Sequence, residues 1–145
     1  DGNGDGVIED TQGRPVSLTD LRLPVFLVCT EKDHVAPWPS VYRFHHLCPA
    51  EVTMVMASGG HNAGIVSEPG RAHRRHRVRV REAFGPWVPP QDWAAGAQAR
   101  EGSWWPTWDA WLHAHGGGSV KARVPRVDET LGPAPGRHVL ERHRD

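Results

Sequence analysis

The sequence has few cysteines, no long apolar run and no excess of either charge. Its 145 residues include two cysteines, Cys29 and Cys48, without C-x-x-C spacing, so it has no disulfide framework and fits a reducing compartment. The 17 basic and 17 acidic residues cancel, and bulk charge therefore gives no support for binding to nucleic acid or to an anionic membrane. No apolar run approaches the roughly 20 residues that a transmembrane helix needs.

What the sequence does contain is glycine, proline and tryptophan. The 16 Gly and 13 Pro indicate many loops, and seven Trp stand against one Tyr. No signal peptide is recognised. The chain opens at Asp1 in loop-like sequence, so we expect a fragment of a longer protein that forms one domain or a large part of one.

The first residues, DGNGDGVIED, partly match a calcium-binding loop. Asp1, Asn3, Asp5 and Gly6 agree with the first half of an EF-hand loop, but its last position carries Gln12 rather than a bidentate Glu. A Gly/Asp-rich turn over residues 1–12 is therefore favoured, weak calcium binding is the alternative, and no metal ligands are assigned.

Two apolar runs predict neighbouring parallel strands. Residues 24–30 (PVFLVCT) form a continuous β-branched run, typical of a strand buried on both faces, and residues 51–57 (EVTMVMA) form the second. Between them we expect a helix that begins at Pro39 or Ser40 and runs to Leu47. Its apolar face would hold Val41, Phe44 and Leu47 or Cys48. Strand, helix and strand make a βαβ unit with a right-handed crossover.

An acid and a histidine follow these two strands. Asp33 lies in the segment TEKDHVAPW, and His61 lies in SGGHNAGI, where Gly59 and Gly60 allow a sharp turn. Since active sites of open α/β sheets lie at the carboxyl ends of the strands, the two side chains are expected to meet. They fit the acid and the base of a nucleophilic triad. One histidine among ten is weak evidence by itself, so catalytic and structural roles both stay open on the residues alone.

No nucleophile is recognised to complete such a triad. The sequence contains neither G-x-S-x-G nor G-x-C-x-G. Cys29 lies inside the first strand, Cys48 lies at the far end of the intervening helix, and Ser58 lacks a strand-to-helix elbow. Because the nucleophile precedes the acid and the histidine in α/β-hydrolases, we expect it upstream of Asp1.

The second half of the chain predicts loops followed by a helix rich in tryptophan. Residues 71–81 (RAHRRHRVRVR) are interpreted as a solvated loop or edge, with binding of an anion such as a coenzyme A phosphate as the alternative. A short helix is expected within residues 91–100. Ser103 is expected to cap a helix that starts at about Trp104, has Pro106 in its first turn and ends at glycines 116–118.

The apolar face of that helix holds residues at helical spacing, namely Trp104, Trp105, Trp108, Trp111 and Leu112. Packing on the domain is the favoured role of this face, and lining an acyl or polymer channel is the alternative. The tail is expected to wrap the surface as an extended segment. The predicted organisation is thus a loop (1–12), a strand–Asp–helix–strand–His unit (13–68), basic and Pro-rich loops (69–101), and a Trp-rich helix with its tail (102–145).

Several segments together resemble the carboxy-terminal part of a polyhydroxyalkanoate (poly-β-hydroxybutyrate) synthase. They follow the family order: GRPVSLTDLRLPVFLV, DHVAPWPSVY, SGGHNAGIVSEPG, DWAAGAQAREGSWWPTWDAWL and PAPGRHVLER. The resemblance implies an α/β fold of the α/β-hydrolase type. This chain would be its C-terminal fragment, with the last two parallel strands, the intervening helix, the Trp-rich helix and an extended tail.

The same resemblance implies transfer of (R)-3-hydroxyacyl groups from coenzyme A to a growing polyester by a Cys-His-Asp triad. His61 would activate an upstream cysteine, and Asp33 would either activate the substrate hydroxyl or only orient His61. His34, Trp38 and Asn62 are expected beside the substrate. No cofactor is expected, because the coenzyme A thioester is the substrate, and the fragment alone should be inactive.

Members of this family act as homodimers at the surface of cytoplasmic polyester granules. The expected partners are therefore the acyl-coenzyme A, the polyester chain, the granule surface and a second subunit, without nucleic acid or a transmembrane segment. Two features depart from the family as we know it: the DGNGDGVIED opening and the strongly basic run of residues 71–81.

Two other functions stay open. The first is another α/β-hydrolase, such as an esterase or polyester depolymerase, in which a serine would replace the cysteine. The second is a non-catalytic calcium-binding or interaction module built on the DGNGDG loop and the tryptophan face.

Overall fold

A four-stranded sheet carries the fold. The computed structural model describes residues 7–124 and 132–142, and its main sheet has the order β3-β4-β5-β6. The strands are β3 (Val25–Thr30), β4 (Val52–Ala57), β5 (Arg75–Arg81) and β6 (Gln98–Glu101). β3 and β4 run parallel, whereas β5 and β6 add to the sheet in antiparallel fashion. A separate hairpin joins β1 (Val7–Glu9) to β2 (Pro15–Ser17).

The basic run of residues 71–81 forms an interior strand over most of its length, so its prediction as a loop or edge was wrong. β5 pairs with β4 on one side and with β6 on the other. The reason lies in its alternation: His76 and Val78 point to one face and are buried, while the arginines point to the other. β5 and β6 extend the sheet on the β4 side in antiparallel fashion, which the sequence did not predict, whereas the predicted parallel pairing of β3 with β4 is present.

The arginines of β5 bind main-chain carbonyl groups on neighbouring segments. A guanidinium group offers five N–H donors in a fixed plane, which suits several carbonyl oxygens at once. The acceptors are Ala94 for Arg77 (3.3 Å), Asp92 for Arg79 (3.3 Å), and Gly85 (3.3 Å), Cys48 and Ala50 for Arg81. These arginines therefore hold the segments that pack beside the sheet.

Burial differs between the two parallel strands. β4 is buried along its whole length, but β3 is only half-buried from Val25 to Val28, and only Cys29 and Thr30 are fully buried. The predicted burial of β3 on both faces is corrected accordingly. In the described part of the chain β3 is the edge of the sheet, and no strand pairs with its outer side.

The connection between β3 and β4 is helical, as predicted, but it is broken. It consists of α1 (Trp38–Tyr42) and α2 (Phe44–Leu47), which meet at Arg43. The helix thus begins earlier than expected, with Pro39 in its first turn. The most buried positions are Tyr42, His45 and Cys48. Of the predicted face, Cys48 is buried, Val41 and Phe44 are partly buried against the same core, and Leu47 is 42% exposed.

Side chains pack on both faces of the sheet. Val52, Met54 and Met56 of β4 face a cluster that contains Tyr42 and Trp93, where the latter belongs to α3 (Pro90–Gly96). Val55 and Ala57, which point to the opposite face, join Val78 and Trp104 in a second cluster. The alternation of β4 thus supplies both cores.

The tryptophan-rich helix is α4 (Trp105–His115), and it ends at Gly116 as predicted. Ser103 accepts the N–H of Trp105 at 3.0 Å, so its hydroxyl caps the helix. Trp104, just before the helix, is buried, but Trp108 and Leu112 are 42% and 43% exposed. The predicted apolar face is therefore buried at Trp104, partly buried at Trp105 and at Trp111, whose ring packs on Phe26, and exposed at Trp108 and Leu112. Across residues 7–124 and 132–142, none of the helices has the length and apolar character needed to cross a bilayer.

Candidate active site

Two loops leave the carboxyl ends of β3 and β4 and are joined by backbone hydrogen bonds. The N–H of Glu31 donates to the carbonyl of Ala57, and the N–H of Lys32 donates to that of Gly59, each at 2.9 Å. The pairing of the parallel strands thus continues past their ends. As a result, the residues that come next on each loop are brought side by side.

Asp33 and His61 are the side chains that meet there. His61 Nδ1 lies 2.8 Å from Asp33 Oδ2, so the contact predicted from the sequence is present. A carboxylate only accepts hydrogen bonds, so Nδ1 carries the proton and donates it. The other ring nitrogen, Nε2, is then left with its lone pair, which is the state in which an imidazole acts as a general base.

The Asp33 carboxylate is held firmly in place. Its side chain is 8% exposed, and its second oxygen, Oδ1, accepts the backbone N–H groups of Val35 and Ala36, each at 2.9 Å. The hydrogen bond from Ala36, helped by those from His61 and Val35, lowers the pKa of Asp33 below its ordinary value, although burial opposes this shift. Asp33 is therefore ionised at neutral pH and faces the His61 ring as an anion.

This lowered pKa predicts a pH-dependent contribution to stability. Because the folded-state pKa lies below the unfolded one, ionised Asp33 stabilises the fold above the ordinary carboxyl range, and the contribution is lost as pH falls through the folded-state value. Asp33→Asn should therefore lower the melting temperature at pH 7. The gap between the variant and the wild type should shrink between about pH 5 and pH 3 in thermal denaturation. A gap that stays constant over this range would contradict the expectation.

The loop that carries His61 (residues 58–67, the histidine loop) owes its shape to three glycines. Gly59 has φ +111°, a conformation that favours glycine, and Gly64 donates its N–H to the carbonyl of Gly60 at 2.9 Å to close one helical turn around His61. Gly64 packs directly against Thr30 at the end of β3. A Cβ added to Gly64 would stand 2.9 Å from the Thr30 Cβ. Sequence reasoning noticed Gly59 and Gly60 but missed Gly64, although it stands in the same SGGHNAGI segment.

Residues at the start of α4 contact the histidine loop directly. The indole N–H of Trp104 lies 3.2 Å from the carbonyl oxygens of Gly64 and Ile65, and that of Trp105 lies 3.0 Å from Ile65 O. The Ser103 hydroxyl donates to the carbonyl of Ser67. Sequence reasoning treated these tryptophans as apolar packing and missed their N–H groups. The GSWW element was the signal that could have revealed them.

The other predicted site residues make no side-chain hydrogen bond to the acid–histidine pair in the described structure. His34 and Asn62 are exposed. The Trp38 ring packs against Tyr42 and Trp93, with centroids 6.4 and 6.3 Å away, which indicates a role in the core. Among the described hydrogen bonds, none connects these three side chains to the pair. Their place beside a substrate stays a prediction.

The thiols and the loop serine are all buried. Burial raises the pKa of Cys29 to about 12, and Cys48 is 2% exposed. The Ser58 hydroxyl accepts the backbone N–H of Arg75 at 3.1 Å. Each of the three groups is thus held inside the fold, and the position of the nucleophile upstream of this chain stays a prediction.

The calcium-loop alternative gains no support from the residues that can be seen. Asp10 Oδ1 accepts the N–H groups of Gln12 and Arg14, at 2.8 and 2.9 Å, and so forms the turn of the β1–β2 hairpin. An EF-hand loop would lead into a helix at this point, whereas here a strand begins at Pro15. Residues 1–6 lie outside the described residues. Among the residues that are described, no group of three or more His, Cys, Asp or Glu could hold a metal ion.

Comparison with known proteins gives one consistent result. No family model matches the chain. The chain is 35% identical over 90% of its length to the poly(3-hydroxyalkanoate) polymerase subunit PhaC of Rhizobium etli. It is 33% identical over 88% of its length to the protein of the same name in Cupriavidus necator, and 36% identical over 86% to the poly(3-hydroxyalkanoate) polymerase of Methylorubrum extorquens. The chain spans about a fifth of the length of these relatives. The resemblance inferred from its sequence segments is therefore confirmed.

Proposed function

We propose that this chain, a relative of the poly(3-hydroxyalkanoate) polymerases, supplies the base and the acid of a longer polyester synthase with an α/β-hydrolase-like catalytic domain. The reaction would transfer (R)-3-hydroxyacyl groups from coenzyme A to a growing polyester chain. The observation that carries the proposal is the 2.8 Å bond between His61 and Asp33, in a chain similar to these polymerases over about nine tenths of its length.

In the proposed mechanism His61 works through its Nε2. This atom takes the proton of a cysteine thiol that lies outside the described residues, and the thiolate attacks the acyl carbonyl of the coenzyme A thioester. The C–S bond to coenzyme A breaks, and the protonated imidazole returns the proton to the departing coenzyme A thiolate. The acyl group is then bound to the enzyme as a thioester. A hydroxyl group of the next unit attacks its carbonyl, the C–S bond to the cysteine breaks, and His61 passes the hydroxyl proton to the departing cysteine thiolate, so that the chain gains one ester bond.

For Asp33, the structure favours orientation of His61 over activation of the substrate hydroxyl. An ionised carboxylate offers about four acceptor sites, and three donors already occupy sites of Asp33: Val35 N–H, Ala36 N–H and His61 Nδ1–H. The side chain is also 8% exposed. A substrate hydroxyl would therefore meet a carboxylate that is both engaged and screened, whereas the anion is well placed to stabilise the imidazolium that forms in the reaction.

The remaining expectations are part of the same proposal. An acyl-coenzyme A and a polyester chain would be the partners of this site, with the protein acting as a homodimer at cytoplasmic granules. Exposed Trp108 and Leu112 on α4 offer apolar contact to such a surface. A coenzyme A phosphate finds less support at the basic run, because the β5 arginines are engaged by carbonyl groups and by Glu31.

A hydrolase with the same acid and histidine is the second candidate. The pair alone serves an esterase or a depolymerase equally well, because these enzymes differ from a synthase in the nucleophile and in the acceptor of the acyl group. The similarity to polymerases favours the synthase.

The test is to supply (R)-3-hydroxybutyryl-coenzyme A to the longer polymerase and to measure released coenzyme A and polyester together. A synthase should release one coenzyme A for each unit found in polymer, and alkylation of a cysteine other than Cys29 or Cys48 should stop both. Release of coenzyme A matched by free 3-hydroxy acid, without polymer, would replace the synthase with a thioester hydrolase.

A further inference from the structure

Three consecutive residues, Ser103, Trp104 and Trp105, all hydrogen-bond to the loop that carries His61; we refer to them as the indole clamp. Their acceptors are three main-chain carbonyls shortly after His61: Gly64 and Ile65 for Trp104, Ile65 for Trp105, and Ser67 for Ser103. The clamp thus covers the segment that directly follows His61. Carbonyl groups at the end of this helical turn would otherwise lack partners in the described structure.

The clamp is itself fixed to the sheet. Trp104 is 7% exposed, and its ring stacks on Phe26 of β3 with centroids 6.3 Å apart. Gly102, just before the clamp, donates its N–H to the carbonyl of Arg74, and its own carbonyl accepts from Nδ1 of buried His76 at 3.3 Å. The carbonyls of the histidine loop are therefore held by donors that cannot move independently of β3 and β5.

His61 depends on this support because its side chain has little of its own. The side chain is 47% exposed, and its one recorded hydrogen bond is the one to Asp33. On the side preceding His61, the loop is held by the bond from Lys32 N–H to Gly59 O. On the side following it, the described contacts to the loop come mainly from the indole clamp.

We propose that the indole clamp is a positioning element for the catalytic base, in which Trp104 and Trp105 fix the loop so that His61 Nδ1 stays bonded to Asp33 and Nε2 stays aimed at the nucleophile. This inference rests on the proposed function for its catalytic meaning. Its structural part is independent of that function, because the bonds from the clamp to the histidine loop and from His61 to Asp33 all lie within this chain. Trp105 is the residue that can be tested, because it is only partly buried and its indole N–H makes a single bond.

The experiment compares Trp105→Phe with Trp108→Phe in this chain. Both variants keep an aromatic ring and lose an indole N–H, but of these two tryptophans only Trp105 donates to the histidine loop in the described structure. Nitrogen-15 chemical shifts of the His61 ring, measured at about pH 8 and assigned with a His61→Ala sample, report which nitrogen holds the proton. The backbone amide spectrum of the sheet residues reports the fold.

Trp105→Phe should reduce the ratio of the Nδ1–H to the Nε2–H tautomer of His61 roughly fivefold, as expected for the loss of one net hydrogen bond from the loop. Trp108→Phe should leave the ratio unchanged. Ser103→Ala, which removes the bond to the Ser67 carbonyl, should shift the ratio in the same direction and serves as the second variant if Trp105→Phe does not fold. An unchanged ratio in folded Trp105→Phe, or an equal shift in Trp108→Phe, would overturn the proposal.

The tautomer ratio involves neither substrate nor nucleophile, so the outcome is independent of the proposed function. If Trp105→Phe shifts the His61 tautomer ratio but the protein has no synthase activity, the proposed function is refuted and the role of the clamp stands. If the protein is a synthase but Trp105→Phe leaves the ratio unchanged, the role of the clamp is refuted and the proposed function stands.

Discussion

Replacing His61 with alanine in the longer polymerase is expected to slow polymer formation by about three to four orders of magnitude. The substitution removes the only imidazole that contacts Asp33 in the described structure, and with it the lone pair that would take the proton of the nucleophile. Asp33→Asn should cause a loss of similar order, because the amide is neutral and no longer stabilises the imidazolium. Release of coenzyme A, followed with a thiol reagent, measures both effects.

His113→Gln is the matched control for these substitutions. His113 lies on α4 with its side chain 77% exposed, so its replacement should leave the rate within a few-fold of the wild type. The double variant of His61 and Asp33 should be no slower than His61→Ala alone, since the two groups act as one unit. Polymer formation near the wild-type rate in either single variant, with the fold intact, would remove Asp33 and His61 from the proposed mechanism.

Gly64→Ala is expected to destabilise the fold by about 1–3 kcal/mol, the usual cost of forcing an extra methyl group into a packed site. An added Cβ would overlap the Thr30 side chain and would stand 3.0 Å from the carbonyl oxygen of Gly60. Relief of this overlap requires the loop to move away from β3, which would also lengthen the contact between His61 and Asp33. Denaturant unfolding measures the first effect, and the His61 ring resonances report the second.

Two other glycines provide controls for this substitution. A Cβ on Gly60 would lie 3.6 Å from the Lys32 carbonyl oxygen, an ordinary contact, and one on Gly117 would meet nothing within 4 Å. Alanine at either position should therefore change the free energy of unfolding by far less than at Gly64. If Gly64→Ala proved as stable as these controls, the prediction would be wrong, and the buried Thr30 side chain would have to move aside at little cost in free energy.

The parts of the fold that sequence predicted well depend on simple periodicities. Two apolar β-branched runs with a helical stretch between them define a parallel pair, and the ends of such a pair lie at one edge of the sheet. That reasoning predicts Asp33 beside His61, and the two side chains are in contact at 2.8 Å. The glycines that follow residue 115 likewise marked the end of α4 correctly.

The parts that sequence missed depend on contacts between distant segments. The run RHRVRVR alternates like a strand, but its many charges favoured a solvated loop. Its arginines donate to carbonyl oxygens on segments near Cys48 and Ala94, and no local sequence pattern predicts these acceptors. In the same way, tryptophan is counted as an apolar ring, although Trp104 and Trp105 contribute through their N–H groups to carbonyls about 40 positions earlier.

The burial of Cys29 and Cys48 has a consequence for protein chemistry. Thiol reagents react with the accessible thiolate; Cys29 has its pKa raised to about 12, and Cys48 is 2% exposed. Under native conditions the two thiols of this chain should therefore not react with alkylating reagents. Fast labelling of a longer polymerase that contains this chain would therefore report thiols elsewhere in the protein, with no background from Cys29 or Cys48.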